Sequence, residues 1–384
     1  MNRMKAQDIS NTAWAFAIVG LQHTTFLEAV ATQLERRHWQ FTQQEMTNSL
    51  WALATLDYRP RGLLHRLESC FLATLGSGQE PLTTQLIAKT WKRQELANLA
   101  WVCAVFGEYP PDLIRMIYMG LLGVGDNPDP DVVTGIHLAA ALGPDEGISA
   151  TVIMSLTYLQ TMMDLDKSVS SFVQLPDDFP DGWLRISQGT TQTSSTGRVS
   201  TTTAQTEGLV ERRGSGGDLE LNRSVLQQNV GAALTRIGFE HVDEYVLDIA
   251  TLSRDYGILG GSVMSSEILS LDMANPSQRI GIEVDGPGHF VTNIDNFREQ
   301  ETGNYQESKM YEIKGSSNEK VDIVFGWNGQ SSRLVTKING PTALKLRIFD
   351  AMGWKIYNIP FWEWQNIQGN QQAEDRYCRS LLDK

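Results

Sequence analysis

This chain of 384 residues is poor in cysteine, has no long apolar run and carries no excess of positive charge. Its three cysteines, Cys70, Cys103 and Cys378, lie far apart and in no metal-ligand spacing. That disfavours a disulfide framework or a zinc site and fits a reducing compartment. No stretch approaches the roughly eighteen uninterrupted apolar residues of a membrane span. The nearest, Ile148 to Met163, is short and is interrupted by Ser155, Thr157 and Gln160, so no membrane span is expected. The opening MNRMKAQDIS has neither an apolar signal core nor an Arg/Ser-rich presequence. Because it runs almost at once into a helical repeat, the N-terminus is expected to be incomplete, and it does not set localisation. The net charge of −13 argues against a general polyanion binder. The charge is uneven, however: residues 1–124 hold 11 Lys and Arg against 10 Asp and Glu, and the rest hold 21 against 35. Within the near-neutral part, Arg36, Arg37, Arg59, Arg61 and Arg66 form a candidate phosphate-binding patch, with solvated helix ends as the plain alternative.

The length allows two or three domains with their own cores. Three segments resemble one another: QDISNTAWAF from Gln7, QEMTNSLWAL from Gln44 and QELANLAWVC from Gln94. Their tryptophans, Trp14, Trp51 and Trp101, are 37 and then 50 residues apart, which reads as one repeat and then one repeat plus an insertion around 75–82. Apolar residues recur at helical spacing, such as Met46, Leu50, Leu53 and Ala54, and Thr42 with Glu45 reads as a capping box. A paired-helix unit of this length cannot bury its apolar face alone, so such units stack into an all-α solenoid. The Trp-Ala signature and the period resemble octotricopeptide repeats of organellar RNA-binding proteins over residues 1–122. The tryptophans are also the expected filling of grooves between stacked units.

Residues 123–185 read as a degenerate helical continuation or cap, with helices over 132–142 and 148–163. From 186 to 218 the chain is almost all Thr, Ser, Gly, Gln and Arg without apolar periodicity, the composition of a disordered linker. Residues 219–384 alternate helical and strand patterns, implying an α/β region. A helix runs from Leu226 to Ile237. Strands follow over 245–249, 268–273 and 279–284, and a polar insertion over 293–333 contains a further strand at 321–327. Last come a helix over 341–352 and a strand over 354–361.

The most informative segment is IGIEVDGPGHF, Ile280 to Phe290. Strand alternation places Glu283 and Asp285 on one face and Ile282 and Val284 on the other. Two buried acids on one face require a nearby cation. This segment, together with ALKLRIFDAMGW and KIYNIPFWEW, resembles the RAP domain, with a core at about 279–381. That resemblance implies a role in organellar RNA metabolism, in mitochondrion or chloroplast, commonly behind helical repeats. It also implies a restriction-endonuclease-like core of the PD-(D/E)XK type, in which Asp272 and Glu283 take the places of the two acids. The lysine of that pattern is replaced by Asp285. Asp272, Glu283 and Asp285 are therefore candidate Mg²⁺ ligands, and Lys345 and His289 candidate catalytic partners. Lys345 and Arg347 are equally candidates for RNA contact, or counter-charges for the acids.

Three readings follow. The first is an RNA-binding protein of organellar RNA processing, stability or rRNA maturation, engaging single-stranded RNA or rRNA and ribonucleoprotein partners. The second is a metal-dependent endoribonuclease built on the acidic site, a reading that the loss of the lysine weakens. The third is a ribonucleoprotein scaffold that does not itself touch RNA.

Overall fold

The computed structural model describes residues 3–75, 83–122, 150–166, 224–247, 269–295, 310–314, 319–325 and 331–383. The linker expected at 186–218 and the helix expected at 132–142 lie outside them. The chain begins with α1 (Ala6–Ile18), α2 (Thr24–Arg37), α3 (Gln43–Thr55) and α4 (Leu63–Ala73). It continues with α5 (Thr84–Thr90), α6 (Arg93–Phe106), α7 (Pro111–Leu122) and α8 (Ala150–Leu165). Helix α1 lies against α3, α3 against α6 and α6 against α8, making one row; α2, α4 and α7 make a second. Small residues at the crossings, including Ala52, Ala54, Ala97, Ala100 and Ala104, are fully buried and let the first row close up. No helix among the described residues is long and apolar enough to cross a membrane.

The helix starts repeat one device. In α3, Thr42 accepts from the Glu45 amide while Glu45 accepts from the Thr42 amide at 2.8 Å, the capping box read from the sequence. Asp8 and Glu95 fold back in the same way on the amides of Lys5 and Lys92. Two other acids cap across units: Glu108 accepts from the amides of Gly62 and Leu64 at the start of α4, and Glu68 from those of Asp112 and Leu113 at the start of α7. Each satisfies amides that a helix start leaves unpaired, so the units are tied by polar as well as apolar contacts.

The C-terminal part builds on β2 (Val242–Val246), β3 (Ser270–Asn275), β4 (Ile280–Asp285) and β9 (Lys355–Pro360), in that order. The first three are antiparallel, and β4 runs parallel to β9. Helices α9 (Val225–Arg236) and α12 (Gln371–Leu382) pack together on one side, where Met273, Ile282, Val284, Tyr357 and Ile359 share a core with Val230, Leu234, Trp364 and Leu381. Helix α10 (Gly340–Ala351) packs on β9 from the side of the repeats, and the short α11 (Phe361–Gln365) follows β9.

The stretch read as a polar insertion contributes most of a second sheet, of order β1-β5-β8-β7-β6. It comprises β1 (Leu21–Gln22), β5 (Phe290–Asn293), β6 (Met310–Lys314), β7 (Glu319–Phe325) and β8 (Ser331–Ile338). The strand expected at 321–327 is β7. Strand β1 belongs to the helical part and pairs in parallel with β5, Leu21 opposite Thr292. The Thr24 amide donates to Asp295 at 2.7 Å beside the same junction.

The helical rows and the α/β part share one apolar core, in which Leu344, Ile348, Phe349 and Trp354 join Leu50, Leu53, Leu99 and Val102. Helix α10 is the bridge. At its first turn a Cβ on Gly340 would sit 1.8 Å from the Ala54 carbonyl oxygen, so only glycine allows this approach. Further along, Arg347 donates to the carbonyls of Ala104 and Val105 at 3.0 and 2.8 Å, neutralising the C-terminal end of α6. Gly340→Ala is therefore expected to push α10 off α3 and to destabilise the chain by about 1–3 kcal/mol. Thermal unfolding followed by circular dichroism checks this; an unchanged midpoint refutes it.

Candidate functional site at the acidic strand

Alternation along β4 puts Glu283 and Asp285 on the face opposite Ile282 and Val284. Both acids are almost fully buried. Lys345, on α10, reaches Glu283 Oε1 with its Nζ at 2.7 Å, the length of a charge-assisted hydrogen bond. Asn358, which lies opposite Glu283 in the β4–β9 register, donates to Asp285 Oδ2 at 2.6 Å. His289 closes the far side: its Nδ1 is 3.2 Å from Asp285 Oδ1 and 3.2 Å from Thr342 Oγ1, and 48% of its side chain stays exposed. Asp272 is held apart from this group. One of its oxygens accepts from the Val284 amide at 2.7 Å and the other from the Gln227 side-chain amide at 2.6 Å.

The Gly286–His289 turn that follows β4 is pinned by Asn339. This residue caps α10 by accepting from the Thr342 amide, and its side-chain amide donates to the Gly288 carbonyl at 2.8 Å. The acids of β4 and the lysine of α10 are thus fixed relative to each other through both main chain and side chain.

Burial pushes the Glu283 carboxyl up to about 8 against the pull of Lys345, with repulsion from Asp272 and Asp285 adding to it. Burial also raises Asp285, opposed by His289 and by the Asn358 hydrogen bond. Burial alone would lower Lys345, but Glu283, Asp272 and Asp285 together hold it above its ordinary value. Both members of the 2.7 Å pair therefore keep their protons more tightly than free side chains do.

The sequence pattern nominated Asp272, Glu283 and Asp285 as Mg²⁺ ligands, and their donor chemistry does not fit the ion. Each Asp272 oxygen accepts from an N–H donor, Glu283 Oε1 lies 2.7 Å from the Lys345 ammonium, and Asp285 gives Oδ2 to the Asn358 amide while its Oδ1 faces the His289 ring without a hydrogen bond. Mg²⁺ requires carboxylate oxygens free to enter near-octahedral coordination. Among the described residues no group of three or more His, Cys, Asp or Glu is placed to hold a metal ion. Lys345 instead sets a tethered positive charge 2.7 Å from Glu283 Oε1.

The candidate RNA-contacting arginines are scattered and partly neutralised. Arg66 binds Glu35 at 2.8 Å and Arg59 binds Asp57 at 3.0 Å. Arg37 donates to the Met4 carbonyl, while Arg36 and Arg61 are exposed. Arg347 is turned into the helical rows, as described above. Residues that sequence reasoning passed over include Gln227, Asn339, Thr342 and Asn358. Asn358 had a signal, as the one amide inside the apolar run KIYNIPF; Gln227 had none, because its role depends on where α9 docks.

Residues 327–380 match the RAP domain family, so the chain carries a RAP domain. The match takes in β8, α10, β9, α11 and most of α12 and begins after the acidic strand. Among curated proteins the chain is similar to a chloroplastic RAP domain-containing protein of Oryza sativa subsp. japonica. The two are 20% identical over 406 residues, an alignment covering 100% of this chain and 47% of the relative. The chain thus spans about half the length of the curated relative it matches.

The folded state binds the Glu283 proton more tightly than an unfolded chain, whose carboxyl titrates near its ordinary 4.5. This group's contribution to stability is full below that value and is lost as the pH rises through about 8. For one proton the slope reaches at most about 1.4 kcal/mol per pH unit. Glu283→Gln, which keeps an oxygen for Lys345, should flatten the fall in unfolding free energy between pH 5 and 8, measured by urea denaturation. Equal slopes in the two proteins would refute the assignment.

Proposed function

We propose that this chain is a non-catalytic RNA-binding protein of organellar RNA processing, stability or rRNA maturation. In this reading its paired helices contact single-stranded RNA or rRNA, and its RAP domain docks the transcript or a ribonucleoprotein partner. The observation that carries the reading is a RAP domain whose own helix, α10, is packed into a double row of helices. The rows and the repeated Trp-containing segments support an octotricopeptide-like solenoid over residues 1–122. The order β2-β3-β4-β9, with helices on both faces, supports a restriction-endonuclease-like core that has kept its acids and pairs one of them, Glu283, with Lys345. The chloroplastic name of the relative supports an organellar location, in plastid or mitochondrion.

Lys345 bound to Glu283 and the spent oxygens of Asp272 favour a structural role for the acids over the endoribonuclease reading. The Lys345–Glu283 contact holds α10 against β4, and removing Glu283 alone leaves the Lys345 ammonium without its partner. The scaffold reading keeps one point in its favour, the acidic balance of residues 125–384, which repels phosphate at long range.

Gel shifts with labelled organellar transcripts, including rRNA, test the proposal. The full chain is expected to retard single-stranded RNA in a salt-sensitive manner and to leave it uncut in the presence of Mg²⁺ or Mn²⁺. Absence of binding at low salt would leave the scaffold reading. Cleavage abolished by Asp272→Asn and Glu283→Gln would establish the endoribonuclease instead.

A further inference from the structure

The three related helices carry more than a repeated tryptophan. Gln7, Asn11 and Trp14 on α1, Gln44, Asn48 and Trp51 on α3, and Gln94, Asn98 and Trp101 on α6 occupy identical places in their units. The spacing i, i+4, i+7 sets each trio along one face of its helix. The three helices are consecutive neighbours in one row. The Trp51 and Trp101 rings lie 6.3 Å apart, tilted by 36°, so the trios of α3 and α6 meet at their tryptophans. The result is a grid of three columns, each a glutamine, an asparagine and a tryptophan.

This grid faces outward. All three glutamines and Asn11 are exposed, Asn48 and Asn98 partly so. Trp14 is 46% exposed, and Trp51 and Trp101 are half-buried, packing one side of each ring on the core. Trp51 and Trp101 share in filling the groove between α3 and α6, as expected of them, together with the fully or almost fully buried Leu50, Leu53, Leu96, Leu99 and Val102, while Trp14 stands exposed. In α6 the Gln94 side-chain amide donates to Asn98 Oδ1 at 2.9 Å, an i,i+4 pair that also supports the helix; its free oxygen and the Asn98 amide hydrogens remain open to a ligand, and Gln7 with Asn11 and Gln44 with Asn48 stand at the same spacing. One turn beyond Trp51 and Trp101 on this face come Thr55 and Val105, both buried. Beside them α10 makes its contacts with Ala54 and the Val105 carbonyl. The RAP domain therefore bounds the grid at its C-terminal edge.

At the opposite edge lie the starts of α1, α3 and α6. Their first-turn acids Asp8, Glu45 and Glu95 are spent on the preceding amides, while Lys5, Lys92 and Arg93 stand at the same edge. We propose that this Gln–Asn–Trp grid is a platform for consecutive unpaired bases of single-stranded RNA. Bases stack on the tryptophans, and the amides bond their edges. The phosphate backbone follows the line of helix starts, where Lys5, Lys92, Arg93 and the helix dipoles supply the positive charge. Gln and Asn side chains each carry a donor and an acceptor, so they suit base edges of either kind. At about one base per unit, the described rows would hold three nucleotides next to α10. The inference rests on the RNA-binding reading above and assigns its site.

The test uses the full chain and labelled single-stranded RNA 20-mers of each homopolymer. Gln7→Ala/Gln44→Ala/Gln94→Ala and Asn11→Ala/Asn48→Ala/Asn98→Ala remove the amides from exposed or half-exposed positions. Circular dichroism establishes that each variant folds. Since Trp51→Ala opens part of the core, the tryptophans are probed in the unaltered chain by ultraviolet crosslinking to 4-thiouridine RNA and peptide mapping. The expected result is crosslinks to peptides containing Trp14, Trp51 or Trp101 and an affinity loss of about tenfold or more in the combined amide variant, given the strength of base–aromatic and amide contacts. RNA bound with crosslinks elsewhere and affinities within twofold of the parent overturns the grid while leaving the RNA-binding reading in place. No RNA bound by the parent chain overturns both. A dimer in sedimentation that the amide variants dissociate would identify the occupant of the grid as a second copy, which also overturns it.

Discussion

Helix α10 is the element on which the rest of the structure depends, because it is buried from both sides. One side meets β4 and β9 of its own sheet; the other meets α3, α6 and α8. Its sequence meets both demands. Gly340 lets the first turn touch the backbone of α3, Leu344, Ile348 and Phe349 supply apolar surface, Lys345 answers the acids of β4, and Arg347 answers the carbonyls of α6. Lys345 and Arg347 are two residues apart and so point in different directions around the helix. That is how one short helix neutralises two unrelated neighbours. A helix committed on both sides cannot leave without exposing apolar surface and a buried charge, so the RAP domain and the helical rows behave as one body.

This commitment also decides the chemistry of the acidic strand. A pair of carboxylates on a buried strand face is costly unless compensated, and the available compensation is either a diffusible metal ion or a tethered cation. Here the tether exists because the helical rows hold α10 down on the sheet. In this chain Lys345 of α10 meets Glu283 of β4 at 2.7 Å, so the acidic strand takes part in the packing of α10 on the sheet. Asp285, beside Glu283 on the same face of β4, is met by Asn358 and His289.

A consequence for RNA recognition follows from the charge distribution. With a net charge of −13, long-range attraction to phosphate is weak or opposed. In the proposed RNA-binding reading, affinity rests on close contacts, namely aromatic faces, amide side chains and a few local cations. The proposed platform on α1, α3 and α6 would supply all three beside the RAP domain. The arginines of α2, α4 and the loop between α3 and α4, which look basic in the sequence, are largely occupied by Glu35, Asp57 and main-chain carbonyls.

The sequence by itself determined the local structure and much of the organisation. The 3.6-residue periodicity of the repeats, the capping box at Thr42, the alternation that sets Glu283 and Asp285 on one face, and the RAP-like segments are properties of near neighbours along the chain, and their physics is short-range. The helices at 225–236 and 340–351 and the strands β4 and β9 fall within a residue or two of where composition and periodicity place them. Only the tertiary structure decided the rest. It brought β1 from the helical part beside β5 in one sheet, turned a polar insertion into strands, and set Lys345 against Glu283 on the acidic strand. It also buried an arginine that reads as a surface charge, and it aligned three Gln–Asn–Trp trios from separate units. Each of these depends on contacts between residues far apart in sequence, with energies fixed by burial and by partners that no local window contains.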